Sequence, residues 1–270
     1  MLTSMELLAN PLVLAVVTGL FTYAMTALGA SVVFLHRNPG ARLLDTMLGF
    51  SAGVMLAASY WSLLAPSVEI AKSGPMPWLP PAVGFAVGGL GLWGLDRITP
   101  HAHTTANCTV EEGPVTGWRR STLLVLAITL HHIPEGLAIG VAAGAVGAGV
   151  PEATMGAAIA LGLGLGLQNM PEGMAVSTML IREGATRGRA FNLGQVTGLV
   201  EPFAALAGAA LVGLSTALLP YALAFAAGAM VYVVIEELVP ECHKSGHADI
   251  AVLASIIGFT LMTVLDIAFA

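Results

Sequence analysis

Eight uninterrupted apolar runs divide the chain, at about 12–35, 44–66, 77–95, 121–147, 153–181, 190–213, 218–240 and 249–269. At about 1.5 Å of rise per helical residue, each is long enough to cross a hydrocarbon core roughly 30 Å thick. None alternates apolar and polar residues with the period of two that a membrane barrel strand requires. The pattern therefore predicts an all-α polytopic membrane protein, eight transmembrane helices forming a single domain over 1–270. One connection, 96–119, is long and polar, with His101, His103, Cys108, Glu111 and Glu112. It reads either as a solvated linker or as a loop that collects metal.

Polar residues break the apolar pattern at two matched points. The fourth run contains His131-His132-Ile133-Pro134-Glu135-Gly136, and the fifth Gln168-Asn169-Met170-Pro171-Glu172-Gly173. On a helix His131 and Glu135 are spaced i,i+4 and His132 and Glu135 i,i+3, and Gln168, Asn169 and Glu172 repeat that spacing. Each helix thus directs a small cluster of nitrogen and oxygen donors from one face. Pro134 and Pro171 cannot donate to the carbonyls of Leu130 and Leu167, which predicts a kink beside each carboxylate. Gly136 and Gly173 leave room for a neighbouring backbone.

Composition agrees with the membrane reading: 56% of residues are hydrophobic and 10% charged, with a mean hydropathy of +0.84. The residues Met1–Asn10 carry Glu6 and no Lys or Arg, and the first apolar run exceeds twenty residues, so the first span is expected to be retained rather than cleaved. Cys108 and Cys242 form neither a CxxC pair nor a disulfide framework. Charge sets the orientation. With the N-terminus outside, Arg37, Arg42, Arg97, Arg119, Arg120, Arg182, Arg187, Arg189 and Lys244 all fall on the cytoplasmic side and only Lys72 on the other. Both termini are therefore expected on the non-cytoplasmic face of a cell (inner) membrane, and 96–119 in the cytoplasm.

Counted from the predicted cytoplasmic ends, His131, Glu135, Glu172 and Glu201 come out roughly 14–21 Å deep, and Met55 of the second span lies at a similar level. No Lys or Arg accompanies the three glutamates there. Buried carboxylates without a counter-ion must be protonated or share a cation brought from outside. Proton carriage alone leaves His131, His132, Gln168 and Asn169 unexplained, whereas imidazole, carboxylate and amide together suit Zn²⁺ and admit Cd²⁺, Fe²⁺ or Mn²⁺. Bland readings stand beside these: Met55 as packing, Gln168 and Asn169 as interhelical hydrogen bonds, and Glu201 as decoration of the kink at Pro202. Glu69 and Asp266 are candidates for an entrance, although a solvated rim accounts for them equally well. Glu236, Glu237, Glu241, His243 and His247 cluster at the cytoplasmic end of the seventh span, as an exit relay or as an ordinary hydrated helix end. Three functions remain open on these residues: a divalent metal carrier, a zinc-dependent intramembrane enzyme and a metal-selective channel. The absence of H-E-x-x-H and of a soluble substrate domain weighs against the enzyme. No organic cofactor or nucleic-acid partner is expected, and small-residue helix faces allow a homodimer without requiring one.

These residues resemble the ZIP (Zrt-, Irt-like) metal transporters, in particular the bacterial, GufA-like branch. HHIPEGLAIG and QNMPEGMAVS carry the likeness, supported by GFSAGVMLAAS, GLVEPFAALAG and IEELVPECHKSGH. The resemblance implies an eight-span carrier that moves divalent metal toward the cytoplasm by alternating access. It also implies an inverted repeat relating spans one to three to spans six to eight around kinked central helices. By motif position it implies a primary site of His131, Glu135, Gln168, Glu172 and Met55. His132, Asn169 and Glu201, sharing Glu135 and Glu172, would form the second half of a binuclear centre. Asn169 departs from the pattern, because relatives can carry an acidic residue there, and this leaves the second half one negative charge short.

Overall fold

A computed structural model describes residues 10–36, 39–99, 101–104, 109–112, 120–151, 153–243 and 246–269. Glu6, Arg37, Cys108, Arg119 and Lys244 lie outside them. Among the described residues the chain forms eight long helices: α1 (Pro11–Leu35), α2 (Ala41–Ala71), α3 (Leu79–Ile98), α4 (Arg120–Gly147), α5 (Met155–Arg182), α6 (Arg187–Leu214), α7 (Thr216–Cys242) and α8 (Ala248–Phe269). These match the eight apolar runs. Six are both long and apolar enough to cross a membrane. The other two are long enough, but Asp96 and Arg97 with several glycines dilute α3, and Gln168, Asn169 and Glu172 dilute α5.

Local chemistry sets the ends. Asn10 caps α1 by accepting from the amides of Leu12 and Val13, with Pro11 in the first turn where its missing N–H is harmless. The Thr154 hydroxyl caps α5 through the amide of Ala157, 2.9 Å away. The Thr186 hydroxyl does the same for α6 through the amide of Arg189.

Pro134 and Pro171 sit inside α4 and α5. Backbone irregularities lie in the neighbours as well. Helix α6 is interrupted between Thr197 and Val200, which puts Glu201 and Pro202 in the first turn of its second half. Pro202 is therefore placed where a helix tolerates it best. Two segments widen into π-helix, Ser59–Leu64 in α2 and Val234–Leu238 in α7. Such wide turns recur at functional sites.

The principal packing partners are α1 with α5, α2 with α8, α3 with α7 and α4 with α6. Exchanging α1 with α6, α2 with α7, α3 with α8 and α4 with α5 maps this set of pairs onto itself. The weaker contacts α2–α5 and α4–α7 exchange in the same way. The packing thus carries the two-fold relation that the family resemblance implied and that the sequence showed only at its centre.

Glycines make these approaches possible. A Cβ on Gly173 would lie 2.1 Å from the Thr26 carbonyl oxygen, and one on Gly136 2.6 Å from that of Glu201. Gly53 of α2 meets Ser255 of α8, and Gly88 of α3 meets Phe225 of α7, in the same manner. These small faces are used within one chain, so they do not argue for a second copy. Large apolar side chains such as Leu90, Leu253, Ile257 and Ile267 are exposed on the outer surface, as lipid contact requires.

Residues His101–Thr104 and Thr109–Glu112 pair as antiparallel strands β1 and β2, with His101 opposite Glu112 and His103 opposite Val110. Four-residue strands are too short to declare themselves by alternation.

Candidate metal centre

Helices α4 and α5 cross near the centre with the PEG glycines turned to α6 and α1, which leaves their polar residues facing one another. His132, Glu135 and Glu172 each bring a ligand atom within 4.8 Å of the others. His132 and Glu135 are fully buried and Glu172 is 6% exposed.

The ring of His132 is oriented by its own helix. Nδ1 lies 2.8 Å from the carbonyl oxygen of Ile128. A carbonyl can only accept, so Nδ1 carries the proton, and in the neutral ring Nε2 presents its lone pair. That nitrogen faces Glu201 Oε1 at 3.5 Å and Glu172 Oε2 at 3.9 Å. A second hydrogen bond of this kind is how proteins orient imidazole for a metal.

Four buried atoms at this point have no hydrogen-bond partner: His132 Nε2, both carboxylate oxygens of Glu135, and Glu201 Oε2. The acceptors of Glu172 are better supplied, because Ser51 of α2 lies 3.0 Å from Glu172 Oε1 and 2.9 Å from Gln168 Oε1. Met55, one turn beyond Ser51, is fully buried on the same helix. Gln168 Nε2 donates to Asn169 Oδ1 at 2.6 Å, and Asn169 Nδ2 donates to Glu201 Oε1 at 2.8 Å. Among the described residues, the ion-pair partner of both Glu172 and Glu201 is His132.

His131 is not among the three residues whose ligand atoms converge. Its Nε2 lies 3.4 Å from Glu237 Oε1, on the π-helical turn of α7. Sequence spacing places His131 and His132 equally well beside Glu135, and the structure turns His132 to the carboxylates and His131 to Glu237.

Toward the predicted outer side, Glu69 and Asp266 line one cavity of 310 Å³ with Trp61, Ser62, Ala142 and Leu161. Ser62 donates to Asp266 Oδ2 at 2.7 Å, and Glu69 is paired with Lys72. On the other side His247 Nδ1 lies 3.0 Å from Asp45 Oδ2, and Tyr232 donates to Asp96 at 3.3 Å. Glu236 and Glu241 are partly buried beside them. The backbone of His243 closes the last turn, Val239–His243, and those of His101 and His103 lie in β1.

Ser51, Ser62 and Asp45 escaped the sequence reading. A serine in an apolar run has no distinguishing mark. Asp45 did have one, as a carboxylate inside the second apolar run.

Comparison with known proteins agrees with this geometry. The family model for the ZIP zinc transporter matches residues 114–266. Zinc transporter ZIP11 of Bos taurus is 39% identical over an alignment covering 96% of this chain and 98% of its own. Zinc transporter GufA of Myxococcus xanthus is 37% identical over 93% and 96%. Zinc transporter ZIPB of Bordetella bronchiseptica is 40% identical over 94% and 81%. With a family model covering more than half of its length and such relatives matched nearly end to end, the chain belongs to the ZIP transporter family.

Proposed function

We propose that this protein carries Zn²⁺ across a cell (inner) membrane toward the cytoplasm, with the ion held at mid-depth by His132, Glu135 and Glu172. The single observation that carries this reading is the set of unpartnered buried atoms, His132 Nε2 and Glu135 Oε1 and Oε2, on side chains whose ligand atoms converge with that of Glu172. Leaving such groups bare costs several kcal/mol per ion, and a divalent cation offsets that cost at once. The names of the relatives point to zinc, and imidazole with carboxylate suits it, although Cd²⁺, Fe²⁺ and Mn²⁺ fit the same donors.

The path follows from the flanking groups. An ion enters through the cavity of Glu69 and Asp266 and exchanges water for the central ligands, with Met55, Gln168 and Glu201 completing the wall. It then passes His131 and Glu237 toward Glu241, His243, His247 and Asp45. We take His101 and His103 of the 96–119 connection as a further collecting point. The bias of Lys and Arg supports a cytoplasmic position for that end and an outward position for both termini. Helices α1, α4, α5 and α6 pack among themselves, as do α2, α3, α7 and α8. We take the movement of one group against the other as the basis of alternating access.

Uptake into sealed proteoliposomes tests the reading, with Zn²⁺, Cd²⁺, Fe²⁺ and Mn²⁺ offered to wild type and to Glu172→Ala. Saturable Zn²⁺ uptake that falls to the vesicle background in the variant is expected. No uptake by folded wild type would refute it, and large single-channel currents would make the protein a pore instead.

A further inference from the structure

We propose that the amide pair Gln168–Asn169 takes the place of a second cation, so that this centre holds one ion at a time and Asn169 sets that limit. The inference rests on the transport-site reading above and deepens it. Its basis is the polarity of a hydrogen-bonded chain that runs Ser51, Gln168, Asn169, Glu201. Glu201 decides the direction. Asn169 Nδ2 donates to Glu201 Oε1 at 2.8 Å, the arrangement an ionised carboxylate requires, so Oδ1 turns away. Oδ1 then lies 2.6 Å from Gln168, which must present its own Nε2. That leaves Gln168 Oε1 to the Ser51 hydroxyl at 2.9 Å.

The consequence is chemical. An amide nitrogen with its hydrogens is a donor and cannot bind a cation, and the single oxygen of Asn169 is already engaged. On the Glu201 side of the centre, N–H groups therefore occupy the directions from which a second ion would be held. Gln168, Asn169 and Glu201 are all fully buried, so water does not compete for the chain. The other vertex is barer, because His132 Nε2 and both oxygens of Glu135 lack a hydrogen-bond partner there, against Oε2 alone on Glu201. Together with Glu172 they can enclose one ion.

Replacing the amide by a carboxylate reverses the arrangement. Asn169→Asp removes the N–H groups and sets two acceptors against Glu201, a site that is relieved by a shared proton or by a cation, for which Cd²⁺ competes. Equilibrium dialysis of the full-length purified protein with Cd²⁺ should show one more ion per chain in Asn169→Asp than in wild type. The gain should vanish in Asn169→Asp/Glu201→Gln. An anomalous difference map of Cd²⁺-loaded wild-type crystals should show one peak among His132, Glu135 and Glu172. That measurement stands even if the variants do not fold. Two peaks in wild type, or no gain in folded Asn169→Asp, would overturn the single-ion centre and leave transport intact. No peak at all would instead remove the transport site on which the inference is built.

Discussion

At the scale of single residues, the centre is decided by which ring nitrogen is left over. His132 and His131 are adjacent, so a helix turns them about 100° apart and both can reach Glu135 by spacing. The Ile128 carbonyl fixes one ring and Glu237 engages the other, so the two histidines should fail differently. His132→Ala removes a donor from the cluster and should weaken Cd²⁺ binding by more than about 100-fold, whereas loss of a group outside the cluster typically costs about 10–100-fold at most. His131→Ala should keep binding within about tenfold while slowing uptake, because it acts where the ion leaves. Equilibrium dialysis and initial uptake rates on the same preparations separate the two, and equal loss of binding in both would show that His131 ligates the ion at rest. The matched PEG phrases made the glutamates legible in the sequence. The choice between the histidines was not, since it depends on α7, more than a hundred residues away. Ser51 was invisible for a related reason, because its role exists only once α2 lies against α5.

At the scale of elements, eight helices were legible because bilayer thickness sets a minimum apolar length, and each structural end falls within a few residues of the apolar boundary. The position of the irregular backbone was less so. Proline marks α4 and α5, while the interruption in α6 is marked only by Gly198 followed by Glu201-Pro202. Close packing by the PEG glycines was readable and gives a direct test. Gly173→Ala sets a Cβ 2.1 Å from the backbone oxygen of Thr26, where no flexible side chain can yield. Helix α5 must move from α1, and overpacking of this sort costs about 1–3 kcal/mol. A Cβ on Gly188 meets nothing within 4 Å, which makes Gly188→Ala the control. Thermal unfolding in detergent should show a lower midpoint for Gly173→Ala alone. An unchanged midpoint would mean that the α1–α5 contact is looser than its geometry.

At the scale of the molecule, the exchange symmetry of the helix pairs divides the chain into two groups, one containing α4 and α5 and the other α2 and α8. If transport slides one group along the other, a covalent bond between them must stop it, and a bond within one group must not. The junction of α5 and α8 supplies the first case. A Cβ on Gly164 would lie 3.7 Å from Met262 Cγ, the position a cysteine sulfur would take, so Gly164→Cys/Met262→Cys is placed for a disulfide after modest adjustment. The second case is α5 with α6, where a Cβ on Gly194 would lie 3.2 Å from Ser177 Cβ, and Gly194→Cys/Ser177→Cys should close within the moving group. Both pairs are best made after replacing Cys108 and Cys242 with serine. Oxidation should abolish Zn²⁺ uptake by the first pair, with recovery on reduction, and leave the second near its reduced rate. Full uptake by the oxidised first pair would show that the ion crosses without relative motion at that junction. The two-fold packing would then describe the ancestry of the fold rather than its working stroke, and a pore through a static centre would become the better account.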